Sequence, residues 1–132
     1  MKDYLALWAQ RLMSDKSLVL KKAIAVVGER DAHLGPRWQF AKIWLTAYPA
    51  PAFEVVDGVP DGEILHRLGY FEFAIFGVLD VLMVAKPSPL YTVRIVLERA
   101  EHHPVDSSPA AFLHAGRDAG RKIINSMDWL WS

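Results

Sequence analysis

His102 and His103 stand side by side after Glu101, and Asp106, Ser107 and Ser108 follow shortly. Imidazole, carboxylate and hydroxyl in one short run can hold a metal ion, activate a nucleophile or hydrogen-bond a ligand. Neighbouring residues of an extended chain point to opposite sides, so Glu101, His102 and His103 do not readily share one ion, and no metal is expected. A His103–Asp106–Ser107 triad lacks the Gly-x-Ser-x-Gly elbow that exposes a nucleophilic serine, and no catalytic residue is assigned. The oxygens have a simpler use. Asp106, Ser107 and Ser108 precede Pro109, a residue suited to the first position of a helix, and their side chains can accept from free backbone N–H groups. Asp106 and Ser108 are read as structural caps, and His102 and His103 as part of a solvated loop. His33, His66 and His114 stand alone and are read as surface or core residues.

Two elements must position that loop. Ala111, Phe112, Ala115 and Ala119 recur at helical spacing and predict a helix from Pro109 to about Ile124, with Gly116 admitting a close neighbour. Before the loop, Leu90 to Leu97 alternates and predicts a strand. Near the start, Tyr4, Leu5, Leu7, Trp8, Leu12 and Met13 predict an amphipathic helix over 3–14, capped by Asp3. Residues 18–29 read as a strand, Arg30 to Arg37 as a turn-rich section, and Trp38 to Tyr48 as a second strand broken by Pro49 and Pro51. Phe53 to Val56 makes a third strand, stopped by Asp57-Gly58. Pro60 and Asp61 open a helix carrying Ile64, Leu65, Leu68, Phe71 and Ile75, weakened by Gly69 and Gly77. Val78 to Val84 fits either a helix or a strand, and Lys86 to Pro89 is a break. The expected class is α+β: a two-layer sandwich of a mostly antiparallel four-stranded sheet with helices on one face, plus the extra N-terminal helix, all in a single domain over 1–132.

Composition narrows the function. The chain has 132 residues, enough for a core without staples, and no cysteine. Fifteen basic residues balance fifteen acidic ones, whereas a dedicated nucleic-acid binder shows a basic excess. The longest apolar stretch, Phe73 to Ala85, is interrupted by Asp80 and too short to span a bilayer, and the start carries no signal pattern. A cytoplasmic location with no membrane partner is therefore expected. No Gly-x-x-x-x-Gly-Lys-Ser/Thr occurs, so nucleotide binding through a P-loop is not expected, nor any other cofactor. Trp8, Trp129 and Trp131 place aromatic clusters at both ends, which either pack together or form a homodimer contact.

The run from His103 through Val105-Asp106-Ser107-Ser108 to Ala111-Phe112-Leu113-His114-Ala115-Gly116 resembles the last loop and helix of domain IV of bacterial elongation factor G, the ribosomal translocase. Gly35-Pro36-Arg37-Trp38-Gln39-Phe40-Ala41-Lys42-Ile43 is similar to that family's Gly-Gly-Arg-Gly-Gln-Tyr-Gly-His-Val loop and strand. Phe53-Glu54-Val55-Val56 stands where the family has Phe-Glu-Phe-Val, and Pro89 with the following strand matches a further segment. The resemblance covers residues 18–124 and implies the fold of ribosomal protein S5 domain 2. It implies a non-catalytic module whose two tip loops contact the ribosome or a structured RNA, with Arg37, Gln39, His102 and His103 as the contact residues. Glutamine and histidine suit shape-based reading of a wide RNA minor groove.

The chain also departs from the pattern. Pro36, Trp38 and Ala41 replace the family's glycines and stiffen the first loop, and the N-terminal helix has no counterpart there. The alternative reading is therefore a repurposed protein–protein or self-associating domain with no RNA role.

Overall fold

The computed structural model describes residues 3–6, 18–60, 63–85, 89–90, 92–126 and 129–131. A short strand β1 (Leu18–Leu20) leads into a long antiparallel hairpin of β2 (Ile24–Leu34) and β3 (Arg37–Pro49). The stretch expected as one strand over 18–29 breaks because Leu20 turns into the core while Lys21, Lys22 and Ala23 stay exposed. β1 pairs instead with a strand not foreseen, β6 (Trp129–Trp131), in the register Leu20↔Trp129. Trp8 and the side chains of Trp129 and Trp131 lie outside the described residues, and with them the choice between aromatic ends that pack together and aromatic ends that form a homodimer contact. Of the helix expected over 3–14, residues 4–6 are helical, with the Asp3 carboxylate accepting from the Ala6 N–H at 3.2 Å; residues 7–14 lie outside the described part.

The hairpin corrects a second expectation. Arg30 to Arg37 is not turn-rich: pairing runs unbroken from Ile24↔Ala47 to Leu34↔Arg37, and only Gly35 and Pro36 make the turn. Gly35 sits at φ +63°, which a residue without Cβ enters freely, and Pro36 fixes the next φ. The polar end of the hairpin is held across the strands. The His33 and Trp38 rings stack with centroids 5.4 Å apart, and the Trp38 indole N–H donates to Asp31.

β4 (Glu54–Asp57) and β5 (Val93–Glu101) complete a sheet of order β2-β3-β5-β4. β3 pairs antiparallel with β5, while β4 pairs parallel to it, so the sheet is mixed, with one parallel pair. β5 begins and ends later than the Leu90–Leu97 expectation. Leu90 is fully buried off the strand, its N–H donating to Leu82 at 2.9 Å. The parallel crossover contains α1 (Glu63–Arg67) and α2 (Tyr70–Leu82), which the sequence reads as one helix. Gly69, at φ +77°, divides them. The ambiguous Val78–Val84 segment is helical to Leu82, because Val78 and Leu82 fall on the buried stripe of α2.

The closing helix α3 (Pro109–Ile124) has the bounds expected from the sequence. It lies on β2 and β3 and beside α2, placing both long helices on one face of the sheet. The core is built from Ile43, Leu45, Val93, Ile95 and Leu97 of the sheet and Val78, Leu82, Phe112 and Ile123 of the helices. Between α2 and α3 the backbones touch: a Cβ at Gly116 would lie 2.0 Å from the Ala74 carbonyl oxygen, and one at Gly77 2.1 Å from that of Leu113. α3 also shields the free edge of β2. Asp118 accepts from the Glu29 N–H at 3.0 Å, and Lys122 donates to the Val27 carbonyl at 2.6 Å, occupying two groups that an edge strand would otherwise offer to another chain.

Candidate functional site

At the end of the sheet where β5 runs out, the β2–β3 hairpin meets the loop from His102 to Ser108. One side chain joins them. The Ser107 hydroxyl donates to the Phe40 carbonyl at 2.6 Å and accepts from the His103 backbone N–H at 2.8 Å. The Phe40 N–H in turn donates to the Asp106 carbonyl at 3.1 Å, and the Tyr70 hydroxyl, at the start of α2, donates to the Ser107 carbonyl at 3.3 Å. Hairpin, loop and helix layer are thus tied at one point. Ser108 caps α3 as expected, its hydroxyl accepting from the Ala111 N–H at 3.1 Å. Asp106, expected to cap through its side chain, engages the hairpin through its main chain. The tethering oxygen is that of Ser107, which the sequence offers as an acceptor for nearby N–H groups but not as a link to the hairpin.

Strand alternation distributes the candidate residues. On β3, Trp38 and Phe40 point to the face away from the helices, while Gln39 points to the helix side, where its carboxamide oxygen accepts from Arg30 Nε at 3.1 Å. His103 joins the first group, its ring 4.2 Å from Phe40 and 5.2 Å from Trp38, centroid to centroid, in edge-on contacts. His102 falls on the other side, near the Tyr70 ring at 5.8 Å, and remains exposed. Arg37 is exposed beside the turn. Gln39 and His103 therefore do not converge on one surface. They occupy the two flanks of a single ridge whose crest is Leu34 to Arg37.

An open groove of about 300 Å³ runs between the hairpin turn and the second loop, lined by Pro36, Arg37, Trp38, Gln39, Val105, Asp106 and Ser108. Its walls offer a guanidinium, a carboxamide and a carboxylate, all able to hydrogen-bond a ligand. Ser107 commits its hydroxyl to two main-chain groups, and the His103 ring is packed edge-on against two aromatics. Nothing in that geometry aligns the two as nucleophile and base. Among the described residues, no cluster of three or more metal-ligating side chains is found, and no helix is long and apolar enough to cross a membrane.

Besides His33, which stacks on Trp38, the other two histidines that stand alone in the sequence acquire neighbours. His66 Nε2 lies 2.7 Å from the Asp57 carboxylate and stacks on Phe71, closing the end of β4 onto α1. His114, half-buried on α3, has its pKa lowered below the ordinary 6.5, first by burial and then by the charges of Arg30, Arg117 and Arg121.

The Elongation factor G, domain IV family matches residues 19–127. A solved structure described as the crystal structure of ttk003000868 from Thermus thermophilus superposes with a TM-score of 0.78 at 22% identity. The match covers 89% of this chain and 18% of that one, so this chain corresponds to a small part of a longer protein. At that identity the likeness shows the fold. No curated protein matches the sequence. With hairpin, tip loop and capped helix all inside the matched span, the chain belongs to the elongation factor G domain IV family.

Proposed function

We propose that this chain is a non-catalytic module that contacts the ribosome or a structured RNA with its tip, without nucleotide hydrolysis of its own. The observation that carries the reading is the ridge: a two-residue turn fixed by Pro36, tied to the second loop through Ser107, with Gln39 on one flank and His103 on the other. A ridge two strands wide, pushed into the wide and shallow RNA minor groove, presents both flanks to the groove walls. Rigid, hydrogen-bonding and only mildly charged, it suits recognition of shape more than capture of bare phosphate. Changing Gln39 and His103 together to Ala is expected to reduce co-sedimentation with ribosomes at low salt by about tenfold, since two lost hydrogen-bonding groups at about 0.5–1.5 kcal/mol each add to that order. Unchanged co-sedimentation in the double variant would remove the tip from the account.

One observation favours the second reading, a protein-contacting or self-associating domain. α2 carries only Glu72 and Asp80 as charged residues, and Asp80 is occupied by Arg117 at 2.9 Å. Phe76 is 48% exposed on its outer side, with Leu68 at 43% and Met83 at 36% nearby in the chain. A helix apolar on nearly all sides is usually covered. Under this reading Phe76→Asp abolishes a dimer seen by light scattering across a concentration series; a monomer at every concentration in the unmodified chain excludes self-association through α2.

A further inference from the structure

A neutral total conceals a segregation of charge between the two flanks of the fold. On the face away from the helices, Lys42, Arg94 and Arg99 sit among five carboxylates, those of Glu29, Asp31, Glu54, Glu98 and Glu101. Two of those cations lie over the Trp44 ring and the third over Tyr48, so their positive faces are partly spent within the molecule. Along α3 and the adjoining edge of β2 the balance reverses: among the described residues, Arg30, Arg117, Arg121 and Lys122 stand with the two carboxylates Asp80 and Asp118. A polyanion is repelled by the first face and attracted by the second.

The positive groups are ordered. His114, Arg117 and Arg121 follow i, i+3, i+7, one stripe of α3 extending about 10 Å along its axis. Arg30 stands beside the tipward end of that stripe, its charge felt at His114 together with those of Arg117 and Arg121. Arg30 also donates to Gln39, which lines the tip groove, and so links the stripe to that groove. The acids facing the stripe are both engaged: Asp80 by Arg117, and Asp118 by Lys122 and the Glu29 N–H.

We infer that Arg30, His114 and Arg121, with Arg117 between them, form a second RNA contact that holds backbone phosphates of the same RNA whose groove receives the tip. This rests on the RNA reading of the tip but assigns a different surface and a different chemistry. Phosphate contacts position a ligand and give affinity that falls with salt, whereas the ridge supplies shape. With the tip in the groove, α3 then leans toward the RNA backbone, and the carboxylates farther up the sheet face lie away from it.

The test uses the full chain, a fluorescein-labelled RNA stem-loop and anisotropy titrations between 50 and 200 mM KCl. Replacing Arg30 and Arg121 by Gln is expected to weaken binding at least fivefold at 50 mM and to make the log–log salt dependence shallower by about 2, roughly 0.9 for each phosphate no longer neutralised. Arg121→Gln alone, at an exposed position remote from the core, is expected to give half of that change in slope and guards against a folding artefact. RNA saturation should also raise the His114 pKa seen by NMR, since a phosphate offsets the Arg30, Arg117 and Arg121 charges that, after burial, hold it down. Equal affinity and slope in the Arg variants overturn the inference, as does binding of poly-L-glutamate that competes the RNA away. If the Arg variants lose RNA while Gln39→Ala/His103→Ala binds as before, the stripe stands and the tip reading falls. If only the tip variant loses it, the reverse holds.

Discussion

Gly116→Ala is expected to cost about 3 kcal/mol or more of folding stability, read as a lowered urea midpoint with little change in slope. The added methyl would lie 2.0 Å from the Ala74 carbonyl oxygen and close to Gly77 Cα at 3.1 Å, both main-chain atoms that no rotamer change can clear. Relief requires α2 to move away from α3, which opens the contact between the helices along its length and leaves Phe112, Val78 and Leu82 less well packed. Gly77→Ala should cost a similar amount, with its methyl 2.1 Å from the Leu113 carbonyl oxygen. Because one displacement of the helices relieves both clashes, the double variant should cost clearly less than the two single effects combined. Gly120→Ala is the comparison: its nearest atom is the Val81 Cβ at 2.9 Å, with backbone no closer than 3.3 Å, and a smaller loss is expected. Equal stability of Gly116→Ala and the unmodified chain would mean that the helices do not approach as described.

The closing helix shows why some of this fold can be read from local sequence. Its start signal, Ser108-Pro109, and its apolar spacing act within a few residues, and α3 begins and ends where those signals place it. Gly116 announces a close approach, though not against which element. The hairpin shows the opposite case. Asp31, Gly35 and Pro36 are turn residues by type, but β2 and β3 carry their pairing almost to the tip because His33, Trp38 and Asp31 bond across the strands. Register of that kind is decided by partners on another strand and has no local signature. The same holds for β6, whose pairing with β1 spans nearly the whole chain, and for the break at Gly69, where the apolar period of a single helix continues straight across.

The site is legible in composition but not in arrangement. Resemblance to the translocase family brings Arg37, Gln39, His102 and His103 to one end of the fold, and all four are there. Period-2 alternation along β3 puts Gln39 on the flank opposite Trp38 and Phe40, a consequence already contained in the Trp38–Tyr48 strand, whereas the placing of His103 beside those two rings depends on the fold of its loop. Within a turn Arg30 would have no defined facing; as a strand residue it faces the helix side and reaches Gln39. The acidic and basic residues, counted together, cancel. Only their assignment to strand faces and helix stripes reveals that the cancellation is spatially uneven.

Ser107→Ala should uncouple the two halves of the tip. The hydroxyl serves a carbonyl 67 positions away in sequence and an N–H in its own loop, and its removal strands both. Leaving part-buried main-chain groups unpaired costs about 1–3 kcal/mol, so a loss of about 2 kcal/mol in a chemical melt is expected. Ser108→Ala provides the contrast. It removes one cap bond, to the Ala111 N–H, and should cost about 1 kcal/mol while fraying only the start of α3. Hydrogen exchange separates the two: Ser107→Ala should deprotect the amides of His103 and Phe40, on both sides of the junction, whereas Ser108→Ala should deprotect Ala111 alone. If RNA contact depends on the ridge being held at a fixed angle to the second loop, Ser107→Ala should weaken ribosome association nearly as much as the Gln39→Ala/His103→Ala double variant, without removing any group that touches RNA. A Ser107→Ala protein that binds as the unmodified chain, with exchange at Phe40 and His103 accelerated, would show that the two loops act independently. The ridge would then have to be recognised without the loop behind it.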